Sequence, residues 1–232
     1  MTLTEQIDHA PELDDAPGPF RSPSWAALRR MSGGALAFGG LACIAGGVLH
    51  PIVDGEEHSV AALQGSGAPA AQILLALGTT SLLLGLPGMY AWLAPRIGLG
   101  GFIGVVAYAL GNLVTATGHL IVELFVAYPF ARDPDKQFLI SGDDSMLGTD
   151  AFNALNVVGG LVMLAGMALF GASLLRNRAV PRWIGILTLV GMAGFFLPVP
   201  SVQGFSGFLY EAPRGVAIAA IGVLMILNRR SR

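Results

Sequence analysis

Six segments of this sequence run for close to twenty residues with almost no charged side chain, and a water-soluble fold has no place for that much uninterrupted apolar chain. They cover residues 31–50, 71–94, 101–128, 150–175, 181–197 and 205–228. A helix rises 1.5 Å per residue, so about 20 apolar residues cross a hydrocarbon core roughly 30 Å thick. Inside that core every backbone N–H and C=O must find its partner within the chain, and a helix does this one segment at a time. Each segment is therefore predicted to be a transmembrane helix. Pro87 should kink the second, because its ring removes a donor and crowds the preceding turn. The third is long enough to tilt. The fifth is short and stops at Pro198 and Pro200. Residues 215–228 alone cannot span, so the sixth is extended back to Phe205. Only 12% of the chain is charged, about half of what soluble domains carry.

The basic residues orient these helices. Arg21, Arg29, Arg30, Arg96, Arg176, Arg178, Arg182, Arg229, Arg230 and Arg232 share one side of a six-pass chain, and Arg132, Lys136 and Arg214 fall opposite. Cytoplasmic loops of membrane proteins carry the excess of Lys and Arg. The expected fold class is thus an all-α integral membrane protein, a bundle of six transmembrane helices with both termini cytoplasmic. Residues 1–30 form an acidic, proline-rich cytoplasmic tail, expected to be disordered. Residues 31–228 form the six-helix domain, and 229–232 a basic cytoplasmic end. The tail lacks the positive n-region and adjoining apolar run of a signal peptide. Arginine outnumbers lysine 12 to 1. With the Ala, Gly and Val bias, this suggests a bacterial genome of high GC content, and hence a multi-pass protein of the plasma membrane.

Small residues on the first span, Ala35, Gly39, Cys43 and Gly47, recur every four positions and offer one smooth ridge for close packing. Cys43, the single cysteine, reads as a structural thiol.

Polar residues are costly at membrane depth, so their placement is informative. On the third span Gly104, Tyr108, Asn112, Thr115, His119 and Glu123 are spaced three or four apart and share one face. Asn153 and Asn156 begin a matching stripe on the fourth span that continues through Met163 and Met167. In this topology His50, His58, Asp54, Glu56, Glu57, Tyr210, Glu211 and Arg214 all fall toward the outer side, so a site should open outward. Glu123 and His119 are the candidate catalytic pair, Glu123 as the acid. His50, Tyr108, Asn112, Asn153, Asn156, Glu211 and Arg214 are the candidate ligand-binding residues. No metal is assigned. His50, His119 and Glu123 are a weak alternative as zinc ligands by donor type, and haem between His50 and His119 is weaker still. Glu211 and Arg214 stand three apart and are expected to pair on one helix.

A phosphate loop, a nucleophile elbow and a basic nucleic-acid patch are all missing from the sequence. The partners expected are the lipid bilayer and a small apolar or amphipathic molecule, with no nucleic acid. The leading functional expectation is binding or processing of such a molecule in a cavity open to the outer leaflet. The alternatives are a proton-coupled small-molecule transporter and a non-catalytic assembly partner. The sequence does not decide whether the protein is an enzyme, nor which cofactor or oligomeric state it has.

Overall fold

The computed structural model describes residues 24–56, 58–141 and 145–227, without the side chains of Gly118 and His119. The tail before Ser24 and the basic end after Leu227 lie outside the described residues, as does Glu57. The described chain is all-helical, with one isolated bridge between Val53 and Glu56.

Helix α1, Trp25–Leu49, starts earlier than hydropathy suggested because Ser24 caps it, its side chain accepting from Ala27 N–H. Arg29 consequently lies within the helix and is buried. α1 stops at His50 because Pro51 follows, and a residue before proline is pushed out of the helical region. A short helix, α2, Val60–Gln64, leads into α3, Ala68–Val114. α3 contains Pro87 and Pro95, but its one break is at Gly98, where φ 60° and ψ −171° are open to glycine alone. The stretches before and after Gly98 fold back on each other, and the rings of Tyr90 and Phe102 meet at 5.2 Å.

Beyond Val114 the helix continues in a wider form. Two π-helical turns, Thr115–Leu120 and Glu123–Ala127, precede α4, Tyr128–Ala131. Then come α5, Asp150–Asn177, α6, Arg182–Gly194, and α7, Phe205–Leu227. α7 begins at Phe205 as expected, with Pro213 inside it. α6 is shorter than the apolar run 181–197, since turns follow Gly194 and Pro198 cannot continue a helix.

Four helices are long and apolar enough to cross a membrane: Trp25–Leu49, Ala68–Thr117, Asp150–Asn177 and Phe205–Leu227. Their outward faces carry Met31, Leu41, Leu84, Leu161 and Leu227, each more than half exposed. Such a surface suits lipid and not water, and it points to a membrane protein.

Neighbouring helices run antiparallel and touch through glycine. On α1, Gly39 and Gly46 lie against Gly78 and Leu75 of α3, whereas Gly33, Gly40 and Gly47 lie against Gly222, Gly215 and Gly207 of α7. On α5, Gly166 meets Tyr108 and Gly171 meets the Gly185 turn of α6. The ridge expected at Gly39 and Cys43 therefore faces α3, and Gly47 has turned to α7. The core between them is built of Leu36, Leu86, Met89, Leu93, Tyr108, Met167 and Phe170. A second, smaller core of Leu63, Ala127, Ala131 and Ile140 closes one end of the bundle. Gln64 Nε2 ties it together by donating to Ala131 O at 2.7 Å.

Candidate functional site

The polar centre lies under that small core. Asp54 and Gly55 both have positive φ, at 53° and 83°, as the two central residues of a type I′ turn require. The turn pairs Val53 with Glu56 through N–H···O bonds of 3.1 and 2.9 Å. It folds the segment after α1 back on itself, so His50 and His58 come edge to face with ring centroids 6.0 Å apart.

Glu123 meets them from the other side. It opens the second π-helical turn and is only 2% exposed. π-helical turns widen the helix by a residue and recur at functional sites. Glu123 Oε1 accepts from Gln72 Nε2 at 2.8 Å, and lies 3.3 Å from His50 Nε2 and 3.8 Å from His58 Nε2. Gln72 is wholly buried in the second turn of α3, and its Oε1 has no partner among the described residues. A buried carboxylate is costly unless donors or cations surround it. Here the described donors are one amide and two imidazoles.

Two cavities flank this centre. The first, of about 220 Å³, is lined by His50, Leu75, Asn112, Leu120, Phe195 and the α7 residues Tyr210, Glu211 and Arg214, among others. The second, of about 240 Å³, is lined by His58, Glu123, Leu147, Phe152, Asn153 and Asn156. Between them, His50 faces the first cavity, while His58 and Glu123 face the second.

The wall of the first cavity carries an ion pair. Arg214 donates from Nε to Glu211 Oε2 at 2.8 Å and from Nη2 to Glu211 Oε1 at 2.5 Å. Two parallel bonds of this kind fix the guanidinium plane. A third nitrogen, Nη1, reaches Met163 Sδ at 3.1 Å. The local pair expected from the spacing is therefore present, and it is almost fully buried.

The structure distributes the sequence-derived residues unevenly. His50, Asn112, Glu211 and Arg214 gather around the first cavity, and Glu123, Asn153 and Asn156 around the second. Asn153 is exposed and donates to Gly148 O. Tyr108 lines neither cavity. It is packed in the core beside Met167, Phe170 and Arg214, with its hydroxyl unpartnered among the described residues. Met163 and Met167 lie in the core and do not floor either cavity. The side chain of His119 is outside the described residues.

Gln72 and His58 were not singled out as site residues. Gln72 begins an apolar run and gives no periodic signal of its own. His58 lies in a connector, where only the Asp54-Gly55 turn foretells that it returns to His50.

A helical membrane-type protein with a buried His, Gln and Glu centre between two cavities is what these observations define. Residues 116–227 match the model of a family described as a domain of unknown function, DUF4386. The match covers just under half of the chain. It includes Glu123, Asn153, Asn156, Glu211 and Arg214, and leaves His50, His58 and Gln72 outside. Neither a curated protein nor a solved structure matches the chain.

Proposed function

We propose that this is a six-pass protein of the cell membrane, with both termini cytoplasmic, that binds a small amphipathic molecule in the cavity walled by Glu211 and Arg214. Gly98 divides α3 into two stretches that each run the depth of the bundle, and the antiparallel glycine contacts support six passes with α6 as the shortest. Arg29, Arg30, Arg96, Arg176, Arg178 and Arg182 then share one end, and Arg132, Lys136 and the acidic connectors share the other.

The observation that carries the binding reading is a buried two-pronged ion pair set in the wall of an otherwise largely apolar cavity. Leu75, Leu120 and Phe195 would hold the apolar part of the ligand, and Tyr210, Asn112 and the Glu211–Arg214 pair its polar end. Ligand sites are commonly apolar hollows with a few fixed polar groups of this kind. Glu123 is the group placed to give or take a proton from a molecule held between the two cavities, with His50 and His58 orienting it. Transport has less support. The half of the bundle away from the cavities is filled by Leu86, Met89, Leu93, Phe170 and Leu174, all buried.

Binding of a dansyl-labelled fatty acid to the full chain in nanodiscs tests the reading. Saturable binding is expected. Ile52→Trp, which narrows the cavity from the connector after α1, should weaken it at least tenfold while the thermal midpoint stays near that of the unaltered chain. Equal, unsaturable partitioning into both samples would defeat the proposal.

A further inference from the structure

We infer that His50, His58 and Glu123 form a site for one divalent transition-metal ion, zinc by ligand type. The metal site would replace the proton-transfer role given to Glu123 above, but it leaves the Glu211–Arg214 wall of the ligand cavity untouched, so ligand binding and metal binding can fail separately.

The geometry comes first. One ligand atom from each of the three residues lies within 4.8 Å of the other two. Zinc binds imidazole nitrogen and carboxylate oxygen at about 2.0–2.2 Å, so a tetrahedral shell has edges of about 3.3 Å. The His50–Glu123 edge is already 3.3 Å and the His58–Glu123 edge 3.8 Å. What has to close is the placement of His58, whose partly exposed side chain stands in the connector before α2 and not on a packed helix. The donor chemistry agrees. Two imidazoles and one carboxylate suit zinc, and the same set with an open fourth position is that of catalytic zinc sites.

The surroundings agree as well. Ligating carboxylates are normally held by a neighbour in hydrogen-bonding range, and Gln72, itself fully buried, holds Glu123 at 2.8 Å. Arg214 is committed to Glu211, and two imidazoles stand beside the buried Glu123 carboxylate. A divalent ion would offset the buried carboxylate directly. The side of the cluster facing Asn153 and Asn156 opens on the second cavity, which leaves room for a solvent ligand in the fourth position.

Purification of the full chain in detergent without a histidine tag, followed by chelation and dialysis against zinc, gives the test. One equivalent of zinc per chain is expected. Cobalt should give the intense visible bands of a tetrahedral site. His50→Ala, His58→Ala and Glu123→Gln should each lower affinity at least tenfold and abolish the cobalt bands, and Gln72→Ala, as a positioning residue, should weaken binding by about 10–100-fold. His9→Ala should change nothing. Equal zinc content in the wild type and the three ligand variants, or cobalt spectra of octahedral type in all, would overturn the site. Glu123→Gln keeps the shape of the side chain, so loss of zinc in a variant with an unchanged helical spectrum cannot be laid to misfolding.

Discussion

An ion pair buried beside a cavity behaves differently when it is broken from one side than when it is removed whole. Arg214 and Glu211 expose about a tenth of their side chains. Replacing Arg214 with Met leaves a carboxylate buried without its partner, and breaking such pairs from one side costs about 3–5 kcal/mol. Glu211→Gln should cost a similar amount. The double replacement should recover most of the loss, because desolvation of both charges disappears with their attraction. Thermal unfolding of the four proteins in micelles measures this, and strictly additive losses would show that the two side chains are not coupled. The spacing of Glu211 and Arg214 made this pair readable in advance, since it depends on one helix alone. The environment of Glu123 was readable in part. Its helical face with Asn112 pointed inward, as both being buried agrees with. Its partners came from three other places, His50 at the end of α1, Gln72 on α3 and His58 in the connector between α1 and α2, and no periodicity within one segment reports such a meeting.

At the level of the elements, the α1–α7 contact is made by glycines seven or eight apart, Gly33, Gly40 and Gly47 against Gly222, Gly215 and Gly207. A Cβ on Gly40 would stand 2.4 Å from Gly215 O, and this neighbour is backbone that cannot swing aside. Gly34, one residue along from Gly33, has open space where a Cβ would go. The two positions therefore separate packing from helix propensity. Gly40→Ala should lower stability by about 1–3 kcal/mol or more through overpacking, whereas Gly34→Ala should be neutral or gain up to about 1 kcal/mol. Denaturation in mixed micelles compares them, and equal effects at both would remove the close-packed interface from the account. The four-residue ridge through Gly39 and Cys43 was visible in the sequence because it lies on one face toward one neighbour. The seven-residue spacing was hidden among 32 glycines, and only the approach of two backbones selects which of them matter. The π-helical turns at Thr115 and Glu123 were likewise invisible, since the residues there fit an ordinary helical spacing equally well.

For the whole molecule the open question is which end of the bundle faces the cytoplasm, and charge supplies the argument. The end that carries the α1 N-terminus also carries Arg96, Arg176, Arg178 and Arg182, and the opposite end carries Asp54, Glu56, Asp133, Asp135 and Asp150 with Arg132 and Lys136. Basic residues in short loops resist translocation across the membrane, whereas acidic ones contribute little to orientation. The native thiol offers a clean background, since Cys43 is 1% exposed and packed against Gly78. Two exposed positions report on the two ends, Lys136 in the connector after α4 and Arg178 after α5. In intact cells a membrane-impermeant maleimide should label Lys136→Cys and leave Arg178→Cys untouched until the cells are permeabilised. The reverse pattern would invert the protein and turn both cavities toward the cytoplasm. Labelling of both without permeabilisation would break the single pass between them, because the path from Lys136 to Arg178 crosses the bundle once, along α5.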